Sequence, residues 1–376
     1  MLLDKTMKSA CTKTRITLTI ILIVIFTIAI AHAQDQIITY QLLNKPDGQI
    51  TYKLNIAIPE TLREYYAEKN HRSASPSDFP KFVTPYALRP IADRLWEIYG
   101  TEEDFANGVL MIVHQITYIE TKLAKYPVET MVGGQGDCDL FSYIAASIMI
   151  AGGLDVVLLY YEEQTHMNIG VHLSSPPEDA RENAYYVTYS GRRYYIAECT
   201  GGNWENGWRV GECPKDLKKV SVKVITLEGA EQVAPGQVSA TFTTVTPSYL
   251  SLETPIVAFQ NSIITINGQL TPAVPSQNVT LYASLNGAPW TIIGTTVTQP
   301  NGHFQYTWTA KTAGLHSIRA SWQGNDAYAG AISPTETVMV ISLFLTALIG
   351  VTVASAAIGA VAALMAKHTQ QEIIEQ

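Results

Sequence analysis

Three residues with side chains suited to nucleophilic catalysis follow one another in the middle of the chain. Cys138 lies in GGQGDCDLFSYIAAS (133–147), His166 opens HMNIGVHL (166–173), and Glu198 lies in RYYIAECT (193–200). A thiol can attack a carbonyl carbon, an imidazole can move the proton, and a carboxylate can orient the imidazole. The sequence predicts a catalytic triad, provided that the fold brings these three side chains together.

Cys138 is predicted to lie at the start of a helix, because glycines precede it and an apolar run follows. A helix start favours the reactive thiolate through its positive dipole end and its free N–H groups. Asp137 and Asp139 oppose this effect, so a nearby cation such as an imidazolium is expected; Asp137 alternatively caps the helix. The Cys138 N–H and the Gln135 side chain are candidate donors to an oxyanion. Taken alone, Cys138 would be interpreted as a small buried apolar residue.

The strands expected after Cys138 place His166 and Glu198 on defined faces. In HMNIGVHL, alternation directs His166 and Asn168 to one face and the apolar side chains to the core. Glu198 is a lone acid in an apolar strand, and alternation directs Cys199 to the opposite face. The simpler interpretations are a structural histidine and an ion pair between Glu198 and a neighbouring arginine.

The elements that must position these residues combine helices with an antiparallel sheet. Residues 34–60 contain two alternating strands joined by NKPDG, which is typical of a β-hairpin. Helical spacing follows at 86–99 and 103–120, and another helix is expected after Cys138. Strand patterns then occupy 154–161, 166–173, 185–189 and 193–200. This order predicts an α+β fold, with a catalytic domain at 61–215.

Apolar segments near both ends indicate a secreted and membrane-anchored protein. Residues 1–33 combine a basic start, an apolar run and an A-x-A motif, as in a cleaved signal peptide; an uncleaved anchor is the alternative. Residues 338–366 carry no charge and are long enough for a single transmembrane helix. The tail at 367–376 is then expected in the cytoplasm and the bulk of the chain outside the cell. The net charge of −8 argues against a nucleic-acid partner.

Removal of the signal peptide would leave an odd number of cysteines. Cys138, Cys199 and Cys213 remain. Cys199 and Cys213 flank a short loop and form a candidate disulfide, which would leave Cys138 as a free thiol.

The character of the chain changes after residue 215. Residues 216–245 include a stretch rich in Ala, Gly, Pro, Thr and Val (226–245), and they are interpreted as a linker, with a lead-in strand as the alternative. Residues 246–337 contain short alternating strands separated by Asn-Gly pairs, which predict a β-sandwich. This region, and most specifically ASWQGNDAYAGA (320–331), resembles the bacterial Ig-like repeats of surface proteins. The resemblance implies a stalk or adhesion module that contacts cell-surface proteins or glycans and carries no chemistry.

The segment 36–215 resembles the transglutaminase-like superfamily, in particular its prokaryotic secreted or membrane-anchored branch. The matching phrases are YPVET (126–130), GGQGDCD (133–139), HMNIGV (166–171), YYIAECT (194–200) and WRVGE (208–212). The resemblance implies a papain-like α+β core with an antiparallel sheet. It also implies that Cys138 is the nucleophile, His166 the general base and acid, and Glu198 the residue that orients His166. The chain has Leu140 where relatives usually have a further acid.

A triad of this kind predicts an acyl-thioenzyme and leaves the acceptor open. Water as acceptor gives a cysteine peptidase or amidase, whereas a lysine amine gives a crosslinking transglutaminase. Prokaryotic relatives are more often considered hydrolases, so hydrolysis of a protein or peptide substrate is expected. A non-catalytic surface binding protein is the alternative from another class. Trp204 and Trp208 either rim the cleft or pack in the core. No metal-ligand pattern, phosphate loop or nucleotide fingerprint occurs in the sequence, and no cofactor is expected.

Overall fold

The structure is a computed structural model that describes residues 35–342, apart from Gly202 and Thr244. The predicted signal peptide at 1–33 and the tail at 367–376 lie outside the described residues, as does most of the apolar segment at 338–366. In the part of the chain that is described, no helix is both long and apolar enough to cross a bilayer.

An antiparallel hairpin opens the described chain. Strand β1 (Gln36–Leu43) pairs along its whole length with β2 (Thr51–Ile58). The turn contains Asp47, whose φ of 58° is one that Asp tolerates better than most residues. Leu54, Ile56 and Ile58 of β2 are fully buried, so the hairpin forms one wall of the main core.

Helices build most of the remaining wall of this core. They are α1 (Glu60–Ala67), a 3-10 helix (Pro76–Phe82), α2 (Pro85–Leu95), α3 (Glu102–Val113), α4 (Pro127–Gly133) and α5 (Cys138–Ala151). The helical pattern expected up to residue 120 ends earlier, at Val113. The chain then enters β3 (Thr117–Tyr118), which pairs in parallel with β4 (Gln135–Gly136), immediately before α5.

Helix α5 lies in the centre of the core and carries Cys138 at its first position. Its side chains are apolar and buried on nearly all sides, including Leu140, Phe141, Tyr143 and Ile144. A helix that is apolar all round belongs in a protein interior. It packs against α2 and against the sheet described next, so that Cys138 has a fixed position at the edge of the core.

A five-stranded antiparallel sheet packs on α5. Its strands are β5 (Asp155–Tyr161), β6 (His166–His172), β7 (Tyr186–Tyr189), β8 (Arg192–Ala197) and β9 (Lys223–Ile225), arranged in the order β7-β8-β6-β5-β9. One face of the sheet belongs to the main core with α5. The other face is covered by a smaller apolar cluster that includes Val157, Ile196 and Leu217.

The segment at 216–245 is integrated with the domain before it and is not a free linker. Strand β9 extends the five-stranded sheet, and β10 (Ser239–Thr241) pairs with β2 of the hairpin. Between them, Glu231 accepts hydrogen bonds from the hydroxyls of Tyr65 at 2.9 Å and Tyr66 at 2.6 Å. These strands have only three residues each, which is too short for a periodic pattern in the sequence.

A β-sandwich follows. One sheet has the order β11-β13-β16, and the other has the order β12-β19-β17-β14-β15 with β18 on β17. The strands are β11 (Tyr249–Glu253), β12 (Val257–Phe259), β13 (Ile263–Thr271), β14 (Asn278–Leu285), β15 (Thr291–Val297), β16 (His303–Thr309), β17 (Gly314–Gly324), β18 (Ala329–Ile332) and β19 (Glu336–Ile341). Ile266, Leu281, Phe304 and Ile318 meet between the two sheets.

The end of the sandwich corrects the predicted boundary of the transmembrane segment. Residues 338–341 belong to β19, which pairs antiparallel with β17. Val338 and Val340 are buried in the sandwich, whereas Met339 between them is 45% exposed. The apolar run therefore begins as a strand with a period of two, and only residues beyond it remain for a membrane span.

The predicted disulfide between Cys199 and Cys213 is absent from the structure, in which both thiols are free. Both are buried, but on opposite faces of the five-stranded sheet. Cys199 lies in the main core, and Cys213 lies in the smaller cluster on the far face. The sheet separates the two thiols, although they are close in sequence.

The sandwich contacts the preceding domain through polar groups. The Tyr86 and Tyr282 hydroxyls are 2.5 Å apart, and Arg319 donates to the Thr61 carbonyl at 3.1 Å. Gly330 N also donates to Ser239 Oγ at 2.9 Å.

Candidate active site

Cys138 is the first residue of α5, with Asp137 at the N-cap position. The interpretation of Asp137 as a side-chain cap is wrong, because its carboxylate makes no capping hydrogen bond. Instead, Asp137 Oδ2 accepts from both the N–H and the hydroxyl of Thr121, at 2.7 Å each. The half-buried Cys138 thiol lies 3.9 Å from the Thr165 carbonyl oxygen. This contact brings the start of β6 to the start of α5.

His166 and Glu198 are joined by a hydrogen bond between two neighbouring strands. His166 is the first residue of β6, and Glu198 directly follows β8. His166 Nε2 lies 3.0 Å from Glu198 Oε2. Ile169 pairs with Ala197 in the antiparallel register, so Asn168 comes opposite Glu198. The alternative ion pair of Glu198 with a neighbouring arginine, Arg192 or Arg193, is not formed. Glu198 pairs with His166, and Arg192 pairs with Asp155 at 2.6 Å.

The Glu198 carboxylate is buried and fully hydrogen-bonded. It is 1% exposed. Oε2 also accepts from Asn168 Nδ2 at 3.0 Å, and Oε1 accepts from Thr200 N at 2.9 Å and Thr200 Oγ1 at 2.6 Å. Burial alone would raise the pKa of Glu198, but the hydrogen bond and charge of His166, with help from Thr200 and Asn168, hold that pKa below its usual value. Glu198 is therefore an ionised and immobile acceptor for the imidazole.

The His166 imidazole is stabilised in its protonated form. Burial lowers the pKa of His166, but hydrogen bonds with Cys138 and Glu198, and the negative charges of both, outweigh it and raise the pKa to about 10. Because Nε2 is engaged by Glu198, Nδ1 is the ring nitrogen left for the Cys138 thiol. Protonated His166 therefore supplies the positive charge that was expected to offset Asp137 and Asp139 beside the Cys138 thiol.

Asp137 and Asp139 differ in protonation. Burial, together with the hydrogen bond and charge of Asp137, raises the pKa of Asp139 to about 8. Burial acts on Asp137 in the same direction, but hydrogen bonds from Asp139 and Thr121 lower the pKa of Asp137 overall. Asp137 Oδ1 is buried and has no hydrogen-bond partner in the described part of the chain, which leaves it as an acceptor for a proton carried by Asp139. At neutral pH the two carboxyl groups carry one negative charge, not the two expected from the sequence.

A pocket of about 540 Å³ opens over Cys138 and His166. Besides these two, its lining combines aromatic, acidic and neutral polar residues: Phe79, Tyr118, Glu120, Thr121, Asp137, Asp139, Tyr160, Gln164, Thr165 and Met167. Its size lies within the range of small-ligand pockets. The thiol and the imidazole thus face a space that can hold part of a substrate.

Other residues named from the sequence lie elsewhere. Gln135 is exposed in β4 and does not line the pocket, so its position gives no support to a role at the oxyanion. Trp204 and Trp208 line a separate small cavity beside His114. His114 Nε2 lies 3.0 Å from the Glu198 carbonyl oxygen, which makes His114 a support for the backbone at Glu198.

Sequence reasoning assigned no role to the residues that hold the triad candidates. Asn168 lies on the same face of β6 as His166, and this alternation was a usable signal. Thr200 follows Glu198 by two residues and bonds its carboxylate. No pattern in the sequence indicates Thr121 and Tyr118, because the pairing of two strands of only two residues each brings them near Cys138.

Comparison with known families assigns the sandwich. Residues 250–341 match the family described as bacterial Ig-like domain (group 3). The match confirms the predicted Ig-like domain and extends it through β19, beyond the expected end at 337. It covers less than half of the chain and does not reach Cys138, His166 or Glu198. No curated protein matches the chain.

Proposed function

We propose that the region before the Ig-like domain is a transglutaminase-like thiol enzyme with a papain-like core. The observation that carries the proposal is the 3.0 Å hydrogen bond from His166 to the buried Glu198, in a pocket that Cys138 also lines. A thiol at a helix start, with an imidazole and an acid on adjacent antiparallel strands, supplies the nucleophile, base and orienting group of a cysteine acyltransferase.

The reaction begins with attack of the Cys138 thiolate on a peptide or amide carbonyl carbon. A carbon–sulfur bond forms, and the carbonyl electron pair moves to the oxygen. Collapse of this intermediate breaks the carbon–nitrogen bond, and the leaving amine takes a proton from the His166 imidazolium. The products of this step are the free amine and an acyl-thioenzyme on Cys138, with His166 neutral.

The second step returns the enzyme to its starting state. Neutral His166 takes a proton from an incoming water, whose oxygen attacks the thioester carbon. The carbon–sulfur bond then breaks, releasing a carboxylic acid and the Cys138 thiolate. Glu198 holds the imidazole in position throughout and stabilises its positive charge. With water as acceptor the enzyme is a cysteine peptidase or amidase, which is the activity we favour; with an amine as acceptor it crosslinks proteins.

The Ig-like domain and the apolar segments suggest where the enzyme works. We propose a single-pass protein of the cell membrane, with the bulk of the chain outside the cell and protein or peptide substrates there. The family match at 250–341 also favours a second candidate, a surface binding or adhesion protein in which the triad is silent. In that case the Ig-like domain would contact cell-surface proteins or glycans.

An acceptor assay separates these functions. The full chain is incubated with casein, with and without putrescine as a soluble amine. New casein termini indicate hydrolysis, and casein-bound putrescine indicates acyl transfer to amines. Either product should disappear in Cys138→Ala and persist in Cys213→Ala, a matched control on the far side of the sheet. Absence of both products from the unmodified chain would favour the binding protein.

A further inference from the structure

Tyr118 is held beside the start of α5 by backbone hydrogen bonds of the residues before and after it. Thr117 N donates to the Gly134 carbonyl at 3.2 Å, and Ile119 N donates to the Gly136 carbonyl at 2.7 Å. In this parallel pairing Tyr118 comes opposite Gly136, two residues before Cys138. The position of the Tyr118 backbone is therefore fixed relative to the nucleophile.

A second anchor lies three residues further along. Asp137 directly precedes Cys138, and its Oδ2 accepts hydrogen bonds from both the N–H and the hydroxyl of Thr121. The side of Gly136 that faces this region is tightly filled, since a Cβ there would come within 3.1 Å of Thr130, Leu140 and Phe141. The segment from Thr117 to Thr121 thus follows the approach to α5 closely.

The Tyr118 side chain reaches the pocket with its hydroxyl available. Tyr118 is 53% exposed, lines the pocket with Cys138 and His166, and meets the Phe141 ring edge-on at a centroid distance of 6.2 Å. Within the described residues, no hydrogen bond to the Tyr118 hydroxyl is formed. Partial burial, followed by the negative charges of Cys138 and Asp137, raises the pKa of Tyr118, so the phenol keeps its proton at neutral pH.

The proposed reaction needs a hydrogen-bond donor of this kind beside Cys138. The oxyanion that forms during attack by Cys138 must be stabilised, and the Cys138 N–H, at the first position of α5, has no partner within the helix. One backbone N–H is an incomplete oxyanion site, and Gln135, the donor expected from the sequence, is outside the pocket lining. Of the pocket residues with a hydroxyl, Tyr118 is the one whose backbone pairs with the segment that leads into Cys138.

We propose that Tyr118 is a catalytic residue that donates its phenolic O–H to the oxyanion formed on attack by Cys138. This inference rests on the proposed function. The phenol forms a hydrogen bond and transfers no proton: the oxygen gains the carbonyl electron pair, is held by Tyr118 and the Cys138 N–H, and returns the pair when the amine leaves. The competing role for Tyr118 is that of an aromatic wall that packs against the substrate.

Tyr118→Phe distinguishes these roles, because it removes the hydroxyl and keeps the ring. The full chain is acylated with p-nitrophenyl acetate, and release of p-nitrophenol is followed. We expect kcat to fall by about 10²-fold, the usual size of the loss of one oxyanion donor, with KM nearly unchanged. Alkylation of Cys138 by iodoacetamide passes through no oxyanion and should keep its normal rate. Tyr189→Phe, which alters a tyrosine of β7 outside the pocket lining, should leave kcat unchanged.

Four results would overturn the inference. An unchanged kcat with a raised KM would assign Tyr118 to substrate packing. An equal loss in acylation and alkylation would mean that Tyr118 acts on the thiol. If the unmodified chain forms no acyl-enzyme at all, the proposed function fails first and the inference fails with it; if the unmodified chain is acylated and Tyr118→Phe is fully active, only the inference fails.

Discussion

His166 Nε2 lies 3.0 Å from Glu198 Oε2, and that carboxylate accepts three further hydrogen bonds while being 1% exposed. The register of β6 and β8 specifies this pair. It brings His166, the first residue of β6, beside Glu198, which directly follows β8. Four donors on one buried carboxylate leave the imidazole a single orientation, with Nδ1 toward Cys138.

Glu198→Gln should slow acylation and destabilise the protein. An amide has one oxygen, so its NH2 group must face the donors either of Thr200 or of His166 and Asn168. We expect the acylation rate to fall by about 10²-fold or more. The unfolding free energy should fall by about 1–3 kcal/mol, as for other buried groups left without a partner. Urea unfolding and p-nitrophenyl acetate kinetics measure the two effects.

Glu212→Gln is a matched control for this change. Glu212 is also buried and ion-paired, with Arg181, but it does not line the pocket. The Glu212→Gln variant should be less stable than the native chain and should keep the native acylation rate. Loss of acylation in both variants to the same extent would mean that Glu198 matters only for folding.

The His166 imidazole should titrate far above an ordinary histidine. NMR of histidine-labelled full chain should show one ring with a pKa of about 10. Cys138→Ala removes one of the two hydrogen bonds that raise this pKa, so the pKa should fall. A His166 resonance that titrates near 6.5 in the unmodified chain would contradict the thiolate–imidazolium pair.

The same shift predicts how the pair affects stability. The folded pKa of His166 is above its unfolded value of 6.5, so the folded state binds the proton more tightly. The stabilisation is complete below about pH 6.5 and is lost as the pH rises through about 10. The unfolding free energy of the native chain should decline over this interval more steeply than that of His166→Gln.

Asp139 should show a pH dependence of the same sign as that of His166, over a lower pH interval. Its folded pKa of about 8 lies above the ordinary value of 3.8, so its ionisation costs stability as the pH rises from about 4 to about 8. Asp139→Asn keeps the hydrogen bond to Asp137 without an ionisable proton. It should stabilise the protein at neutral pH by more than about 1 kcal/mol, since one pKa unit corresponds to about 1.4 kcal/mol. Equal stability of both proteins at pH values from 4 to 8 would show that Asp139 is ionised throughout, as an exposed acid would be.

Peptide mapping under non-reducing conditions should find Cys199 and Cys213 unlinked. The sheet lies between the two thiols, and both are buried in separate apolar clusters. A peptide pair joined by these cysteines would require a different path for residues 199–213 from the one described.

The sequence was informative where a pattern repeats. Strand alternation assigned faces to His166 and Asn168, and the glycine-to-apolar transition predicted the helix start at Cys138. The charge state of Asp139 could not be predicted, because it depends on burial and on a shared proton with Asp137. Tyr118 and Thr121 were also out of reach, since the parallel contact of β3 with β4 joins segments that have no common pattern.

Two segment boundaries expected from the sequence differ from the structure for a related reason. The expected linker at 216–245 contains two three-residue strands whose partners, β5 and β2, lie far earlier in the chain. The apolar segment from 338 begins as β19, because a half-buried strand and the apolar run after it are continuous in composition. The pairing of β19 with β17 and with β12 separates them.

The mass of the protein during acylation by p-nitrophenyl acetate tests most directly whether Cys138 and His166 act as a catalytic unit. We expect one hydroxylamine-sensitive acetyl group on Cys138, with Cys199 and Cys213 unmodified. The adduct should be absent from Cys138→Ala and should form at least about 10²-fold more slowly in His166→Ala. Absence of an acetyl group from Cys138 in the native chain, or equal rates of formation with and without His166, would contradict the assignment of these residues as a catalytic unit.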